Sequence, residues 1–229
     1  MKLKAWEDLP AFMRRKEVKP YYDILKRKRL SLLCKRAFDV VCAFVLLVIC
    51  AVPMLVIAVL IKADSPGPVF FRQERVTTYG RIFKIHKFRT MVENADRTGS
   101  GVTVSGDLRI TKAGAKLRKR RLDELPQLLD VLHGDMSFVG TRPESVRYVK
   151  QYKPAYYATL LLPAGITSEA SIRFRDEEKL LDGADDADRV YVEQILPQKM
   201  KWNLYSLKHF GLMRDIHTMI KTVTEVLAS

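Results

Sequence analysis

The distribution of apolar residues along the chain is dominated by one long run. Residues 40–61 contain no charged side chain, and as a helix with a rise of about 1.5 Å per residue they would extend over roughly 33 Å. This length matches the hydrocarbon core of a bilayer, which is about 30 Å thick. The run starts too far into the chain and is too long to be a secretory signal peptide. The pattern therefore predicts a membrane helix.

Pro53 divides this run into two arms, residues 40–52 and 54–61, and each arm alone is too short to cross a bilayer. A proline inside a helix removes one backbone hydrogen bond, so a kink is expected. Lys and Arg flank both ends of the run, whereas the positive-inside rule orients a spanning helix only when its flanks differ. We therefore favour a re-entrant helix that breaks at Pro53, and a proline-kinked span stays open as the alternative.

Beyond the apolar run, the residue pattern predicts short strands and short helices. Residues 69–76 and 81–86 are β-prone and are separated by a short loop, which is typical of a β-hairpin. Residues 111–121 and 125–133 predict two helices, because Pro126 suits the first turn of the second one and a glycine follows its end.

The remaining segments predict loops and a helical tail. Residues 96–106 are polar and rich in Gly and Ser, and they predict a surface loop. Residues 182–188 form an acidic loop, and apolar residues recur at helical spacing over 212–223. The predicted fold class is α+β and mainly helical. It combines a membrane re-entrant helix-break-helix with a cytoplasmic domain that has a small β-hairpin and amphipathic interfacial helices.

Composition divides the chain into three parts: a basic N-terminal arm over 1–35, the re-entrant membrane helix over 36–62, and a cytoplasmic domain over 63–229. The first 30 residues are basic with interspersed aromatic residues. This composition suits a segment that lies on anionic lipid headgroups. A solvated, poorly ordered terminus is an equally open interpretation.

The charge of the chain narrows the choice of partners. Forty Lys and Arg against 26 Asp and Glu give a formal net charge of +14. A chain this basic favours phosphate groups, whether in nucleic acid, in anionic lipid or in phosphorylated small molecules. The three cysteines, Cys34, Cys42 and Cys50, form no CxxC pair, which argues against a disulfide scaffold or a zinc site.

Candidate catalytic residues lie in the middle of the chain. Residues 117–128 read LRKRRLDELPQL and place the adjacent carboxylates of Asp123 and Glu124 directly after a cluster of cations. Two neighbouring carboxylates can divide labour, one attacking or transferring a proton while the other holds a metal. Mg²⁺ is typically bound by one or two carboxylates together with substrate phosphate oxygens. An arbitrary Asp-Glu pair more often stabilises a helix start, and the cation run alone is equally typical of nucleic-acid binding.

Several motifs in a fixed order resemble one protein family. They are KRAFD at 35–39, DSPGPVFFRQ at 64–73, KFRTM at 87–91, LDELPQL at 122–128, and GDMSFVG at 134–140 with Arg142 and Pro143 after it. This pattern is similar to that of the bacterial sugar transferases, monotopic phosphoglycosyl transferases of polyprenyl phosphate. The resemblance extends from about residue 35 to residue 165, with a weaker match in the tail at Asp215 and Thr222. The chain looks like the minimal form, without the extra N-terminal transmembrane helices of larger members.

The resemblance implies an enzyme that moves a sugar-1-phosphate from a UDP-sugar to undecaprenyl phosphate and releases UMP, which initiates bacterial surface glycoconjugate synthesis. It also implies the re-entrant helix, the bacterial inner (cytoplasmic) membrane as location, and a catalytic domain on the cytoplasmic face. The expected partners are the UDP-sugar donor, the undecaprenyl phosphate acceptor and membrane lipid, without nucleic acid. Whether the chain forms a homodimer stays open.

The resemblance further assigns roles to single residues. Asp123 is the expected nucleophile, which attacks the sugar-bearing phosphorus to give a covalent aspartyl-phosphosugar intermediate. Mg²⁺ is the expected cofactor, bound by Asp123 and Glu124, and Glu124 would act either as metal ligand or as base. Nearby cations would offset the repulsion between the carboxylate and the diphosphate. The candidates for binding the substrate phosphates are Lys87, Arg89, Arg118 and Arg142.

The chain departs from the family pattern at several positions. Val52 precedes Pro53 where serine is common, Thr77 stands where glycine is usual, and Thr141 stands where proline is usual. Residues 162–171 also differ from the usual stretch, so the sugar cannot be carried over. Two other classes stay as alternatives: a membrane-anchored nucleic-acid-binding protein, motivated by the charge, and a non-catalytic membrane scaffold.

Overall fold

The computed structural model describes residues 1–93, 95, 107–181 and 186–227. The predicted surface loop at 96–106 lies outside the described residues, as do residues 182–185 of the predicted acidic loop. The helices within the described part are α1 Lys19–Arg27, α2 Arg29–Asp64, α3 Lys112–Lys119, α4 Gln127–His133, α5 Val146–Val149, α6 Glu169–Arg173, α7 Glu177–Leu180, α8 Ala187–Val190, α9 Leu196–Lys208 and α10 Leu212–Leu227. The strands are β1 Phe70–Val76, β2 Ile82–Phe88, β3 Met136–Val139 and β4 Ala164–Thr167. The predicted class, mainly helical with small sheets, is confirmed.

Helix α2 contains the whole apolar run and is long and apolar enough to cross a membrane. Most of its middle is exposed, with Val52 at 70% of its full accessible surface, because the rest of the chain does not cover it. The helix continues through Pro53, so the predicted break is not confirmed at the level of secondary structure. The helix ends at Asp64, where Ser65 becomes extended, in agreement with the predicted turn at 64–68.

The predicted hairpin is confirmed, since β1 and β2 pair in antiparallel register from Phe70–Phe88 to Val76–Ile82. Side chains alternate between the two faces of a strand. Phe83 and Ile85 therefore pack on one side against α4 and β3, and Lys87 shares their face. Phe88 points the other way and packs against α2 and α3. Strand β2 thus packs between the apolar helix α2 and the elements that follow it.

Helices α3 and α4 occupy the two predicted helical segments. Thr111 caps α3, since its hydroxyl accepts a hydrogen bond of 3.0 Å from the amide of Gly114. Gly134 ends α4 with a positive φ of 88°, as the predicted glycine stop requires. Arg36 of α2 donates hydrogen bonds to the carbonyls of Val131 (2.6 Å) and Leu132 (2.9 Å) in the last turn of α4. This contact fixes the N-terminal part of α2 to α4.

A second, parallel pair of strands was not predicted. Met136 pairs with Ala164 and Val139 with Thr167, so β3 and β4 join segments far apart in sequence. The hydroxyl of Thr77, which stands where the family usually has glycine, accepts a hydrogen bond from the Ala164 amide (3.2 Å) and donates one to the Asp135 carbonyl (2.5 Å). The threonine therefore connects the hairpin to this small sheet.

A buried group of charges joins α2 to the sheet and to α10. Lys35 lies 2.7 Å from an oxygen of Asp215 and 3.9 Å from one of Asp39. Asp39 also accepts hydrogen bonds from the Ser137 hydroxyl (2.8 Å) and the Phe138 amide (3.3 Å). Because buried charges need such partners, the cluster fixes the position of α2 relative to β3 and α10.

The N-terminal residues pack against the rest of the chain. Leu9, Met13 and Tyr22 are buried in one cluster with Leu161 and Phe210. A solvated, poorly ordered terminus is therefore not what the structure contains. The cations of this segment are largely exposed, and its position on lipid headgroups stays a prediction.

Candidate active site

Asp123 and Glu124 lie in a single 3₁₀ turn, Leu122–Glu124, between α3 and α4. Arg121 directly before the turn adopts a left-handed conformation with φ 52°, which redirects the chain after α3. Both carboxylate residues are buried, each with 8% of its surface exposed. The N-cap of α4 is Pro126, without a side-chain cap. The simpler interpretation of the Asp-Glu pair, capping of this helix, is therefore wrong.

Glu124 is surrounded by cations. Its Oε1 accepts a hydrogen bond of 2.6 Å from Arg142 and one of 3.1 Å from Lys87, and its Oε2 lies 3.9 Å from a guanidinium nitrogen of Arg121. Burial alone would raise the pKa of Glu124, but the charges of Arg142, Lys87 and Arg121 outweigh it and hold that pKa far below its ordinary value. Glu124 is therefore ionised and held in one orientation.

Asp123 has a different environment. No residue that the structure describes forms a hydrogen bond or ion pair with its carboxylate. Burial raises the pKa of Asp123, and the charge of Glu124 adds to the increase, while Lys87 and Arg118 oppose it. The two neighbouring carboxylates are thus unequal: one is fixed by cations, and the other is less acidic and has no hydrogen-bond or ion-pair partner in the described part of the chain.

Three of the four predicted phosphate-binding cations lie at this pair. Arg142 has a raised pKa because of Glu124, whereas burial lowers the pKa of Lys87 in spite of Glu124. Arg118 on α3 is close enough to lower the pKa of Asp123 against the effect of burial. These three residues come from β2, α3 and the loop after β3, so the fold brings together side chains from distant parts of the sequence.

Arg89, the fourth predicted cation, is engaged elsewhere. Its guanidinium donates to the carbonyls of Pro66 (2.6 Å) and Ser65 (2.7 Å), at the point where the chain leaves α2. Gly67 has a φ of 112°, and a Cβ there would clash with the Arg89 guanidinium. The contacts of Arg89 therefore stabilise the turn after the membrane helix, and its role in phosphate binding stays a prediction without support from the geometry.

The sequence did not single out two cations that the structure places near the site. Arg121 contributes to the environment of Glu124, but the sequence does not indicate a left-handed conformation at a residue other than glycine. Arg75 of β1 donates to the Pro143 carbonyl at 3.4 Å, and burial lowers its pKa. Arg75 therefore contacts the loop that carries Arg142. The alternation of side chains along β1 is the sequence pattern that could have identified Arg75.

The predicted Mg²⁺ can be compared with the donors present. Among the described residues, no group of three or more His, Cys, Asp or Glu side chains could hold a metal ion. Mg²⁺ usually keeps several waters and binds one or two carboxylates plus substrate phosphates. The carboxylate of Asp123, which bonds to no described residue, and the Oε2 of Glu124, 3.9 Å from Arg121, fit such an ion.

Comparison with known proteins adds independent findings. Residues 30–229 match the family described as bacterial sugar transferase. The chain is 37% identical over 196 residues to UDP-N-acetylgalactosamine-undecaprenyl-phosphate N-acetylgalactosaminephosphotransferase of Aeromonas hydrophila, over 84% of this chain and 43% of that protein. It is 35% identical over 200 residues to UDP-glucose:undecaprenyl-phosphate glucose-1-phosphate transferase of Caulobacter vibrioides, over 86% of this chain and 71% of the relative.

A third relative is closer in size. The exopolysaccharide production protein PSS of Rhizobium leguminosarum bv. phaseoli is 35% identical over 205 residues, which cover 86% of this chain and 97% of that protein. The chain thus spans less than half the length of the Aeromonas relative and nearly all of the Rhizobium relative.

Proposed function

The chain belongs to the bacterial sugar transferase family, and from this membership we propose that it moves a sugar-1-phosphate from a UDP-sugar to undecaprenyl phosphate and releases UMP. The observation that carries the proposal is the unequal pair of buried carboxylates at 123 and 124. The names of the Aeromonas and Caulobacter relatives give the same acceptor with different sugars. They therefore support the acceptor and the donor class rather than one particular sugar.

Asp123 is the nucleophile in this proposal. One of its oxygens attacks the sugar-bearing phosphorus, the bond from this phosphorus to the UMP oxygen breaks, and UMP leaves with the electron pair. An oxygen of undecaprenyl phosphate then attacks the same phosphorus and displaces the Asp123 carboxylate. The choice of Asp123 rests on its environment, because a carboxylate with a raised pKa and no bonded partner among the described residues is the better nucleophile of the two.

Glu124 has an electrostatic role in the proposal. Its pKa is held low by Arg142, Lys87 and Arg121 against the effect of burial, and such a carboxylate is a poor base. We therefore favour the role of metal ligand over that of general base. Asp123 and Glu124 would together hold Mg²⁺, which would supply positive charge at the diphosphate.

The cations around the pair bind and orient the phosphates. Lys87, Arg118 and Arg142 converge on Asp123 and Glu124, and Arg121 joins them. They offset the repulsion between the attacking carboxylate and the diphosphate, and they stabilise the charge of the departing UMP. Arg118 and Arg121 belong to the cation run that motivated the nucleic-acid-binding alternative, and their place beside the carboxylates favours the transferase.

Helix α2 enters and leaves the membrane on the same side in this proposal. Ala43, before Pro53, packs against β2, α4 and β3, while Ile57 and Ile61, after it, pack against β2 and α3. A spanning helix would place these two ends on opposite sides of the bilayer, where one cytoplasmic domain could contact only one of them. Contacts at both ends and Lys and Arg on both flanks support a re-entrant helix and a site on the cytoplasmic face of the bacterial inner membrane.

Release of UMP tests the proposed function. Purified protein is incubated with undecaprenyl phosphate, Mg²⁺ and each member of a panel of UDP-sugars, and UMP is quantified. We expect Asp123→Asn to abolish release and Asp23→Asn, at an exposed position on α1, to leave it unchanged. Without acceptor, mass spectrometry should find a phosphosugar on the peptide that contains Asp123. Release that survives Asp123→Asn removes the assigned nucleophile, and the absence of release from the whole panel overturns the transferase.

A further inference from the structure

A second group of buried charges lies behind the loop that carries Arg142. Glu144, two residues after Arg142, accepts a hydrogen bond of 2.6 Å from the hydroxyl of Tyr191. The ammonium group of Lys199 donates to that hydroxyl (3.0 Å) and to Glu177 (2.9 Å), and it lies 3.6 Å from Glu144. Glu144, Tyr191 and Lys199 are all buried. We call these four residues, Glu144, Glu177, Tyr191 and Lys199, the rear cluster.

The rear cluster connects the site with the C-terminal half of the chain. Tyr191 begins a π-helical turn, Tyr191–Ile195, and Lys199 lies on α9. Such turns are rare and are found often at functional sites. The carbonyl of Glu144 accepts a hydrogen bond of 3.0 Å from the amide of Val76 in β1. The loop at 142–144 is therefore held by the hairpin on one side and by the rear cluster on the other.

Charge explains why Lys199 is needed there. Arg142 is attracted to Glu124, with which it forms a hydrogen bond of 2.6 Å, but Glu177 also acts on it, since both carboxylates raise the pKa of Arg142, Glu124 the more strongly. Lys199 neutralises part of the negative charge of Glu144 and Glu177. Without Lys199, Glu177 would compete with Glu124 for the Arg142 guanidinium, and Glu144, two residues from Arg142 in the same loop, would lose its neighbouring cation.

A buried group of charges need not make the fold more stable than apolar side chains would. Replacing a buried group of charges by well-packed apolar side chains is often neutral or stabilising. The rear cluster can instead keep Arg142 oriented toward Glu124. This orientation matters because a misplaced guanidinium loses its charge-assisted hydrogen bonds to phosphate.

We propose that Lys199 is a positioning residue, which neutralises Glu144 and Glu177 and thereby keeps Arg142 directed at Glu124 and at the diphosphate of the donor. The inference rests on the proposed function and extends it to a residue of α9. Lys199 touches neither Glu124 nor Asp123; it acts through Glu144 and Glu177. Its removal therefore weakens binding of the donor diphosphate more than it slows the chemical step.

The test uses the full-length protein in detergent with UDP-sugar concentration varied. We expect Lys199→Met to raise the KM for the donor about tenfold, the loss that a broken hydrogen bond to a charged group gives, with a smaller change in kcat. The double variant Lys199→Met/Glu177→Gln removes one of the two uncompensated carboxylates and should recover most of the KM. Lys201→Met, an exposed position on the same helix, is the matched control and should match the wild type.

Binding of UDP, measured by calorimetry, gives a readout that does not depend on turnover. We expect Lys199→Met to weaken it in the same proportion as KM, and Tyr191→Phe, which removes only the bridging hydroxyl, to weaken it less. Unchanged UDP affinity in a folded Lys199→Met variant overturns the inference, as does a double variant no better than the single one. If Lys199→Met does not fold, an unchanged UDP affinity of the Tyr191→Phe variant overturns the inference. A wild type that binds UDP but releases no UMP overturns the proposed function instead.

Discussion

The buried ion cluster at the start of α2 allows a quantitative prediction about how the membrane helix is attached. Lys35, of whose side chain only 2% is exposed, lies 2.7 Å from Asp215 of α10 and 3.9 Å from Asp39. Replacement of Lys35 by methionine keeps the length of the side chain and removes the charge. Asp39 keeps its hydrogen bonds from Ser137 and Phe138, whereas Asp215 loses its cation.

The magnitude follows from the cost of a buried charge without a partner. Removing one member of a buried ion pair destabilises a protein by about 3–5 kcal/mol. Since 1 kcal/mol changes Tm by about 2–4 °C for a chain of this size, we expect Lys35→Met to lower Tm by about 6–20 °C. Asp215→Asn should cost less, because burial already raises the pKa of Asp215 in spite of Lys35. The double variant should be more stable than the sum of the two single effects indicates.

The assay is thermal unfolding in one detergent, followed by the loss of helical circular dichroism. Lys62→Met, at an exposed position in the last turn of the same helix, is the control and should stay within about 2 °C of the wild type, as is usual for surface substitutions. A Lys35→Met protein that melts together with this control would refute the reasoning, since the cluster would then contribute nothing to the attachment of α2.

Three further predictions concern the site and the topology. Because burial and Glu124 raise the pKa of Asp123, its carboxylate in the Mg²⁺-free protein should bind a proton at a pH above the ordinary aspartate range, and Glu124→Gln should move this titration, followed by NMR of labelled aspartate, to lower pH. Arg89→Gln should lower Tm and leave the donor KM of the folded protein unchanged, because Arg89 contacts Ser65 and Pro66. An increase in KM without a change in Tm would instead indicate that Arg89 binds the substrate. In a background without the other cysteines, the exposed Cys34 and Ala63→Cys should both react with an impermeant thiol reagent from the cytoplasmic side, and labelling from opposite sides would establish a span.

Much of the fold follows from local sequence patterns, and the elements that were not predicted have physical reasons for it. The hairpin and the helices α3 and α4 were predictable because strand alternation, Pro126 and Gly134 act within a few residues. The parallel pairing of β3 with β4 was not predictable, because it joins segments about 25 residues apart through backbone hydrogen bonds. In the N-terminal segment, the basic composition obscured the apolar residues that pack into a core.

The sequence predicted which residues form the candidate site, but not the environment of each. The motifs identified Asp123 and Glu124, but not that cations would fix Glu124 while no residue in the described ranges bonds to the Asp123 carboxylate. They also could not separate Lys87 from Arg89, two cations in one motif. Strand β2 ends at Phe88, and Arg89 donates to the end of α2 while Lys87 donates to Glu124. The two cations of this motif therefore have different contacts, Lys87 at the carboxylate pair and Arg89 at the end of α2.

The same strand end relates the site to the bilayer. Phe88 packs against Ile57 and Ile61 of the apolar helix, and its neighbour Lys87 donates to Glu124. One peptide unit therefore separates a side chain that contacts the apolar helix α2 from one that contacts the proposed catalytic pair. If α2 is re-entrant as proposed, this adjacency keeps the carboxylates near the membrane surface. There, the Asp123 carboxylate can first attack the phosphorus of a water-soluble donor, and the phosphate of a lipid acceptor can then attack the same phosphorus.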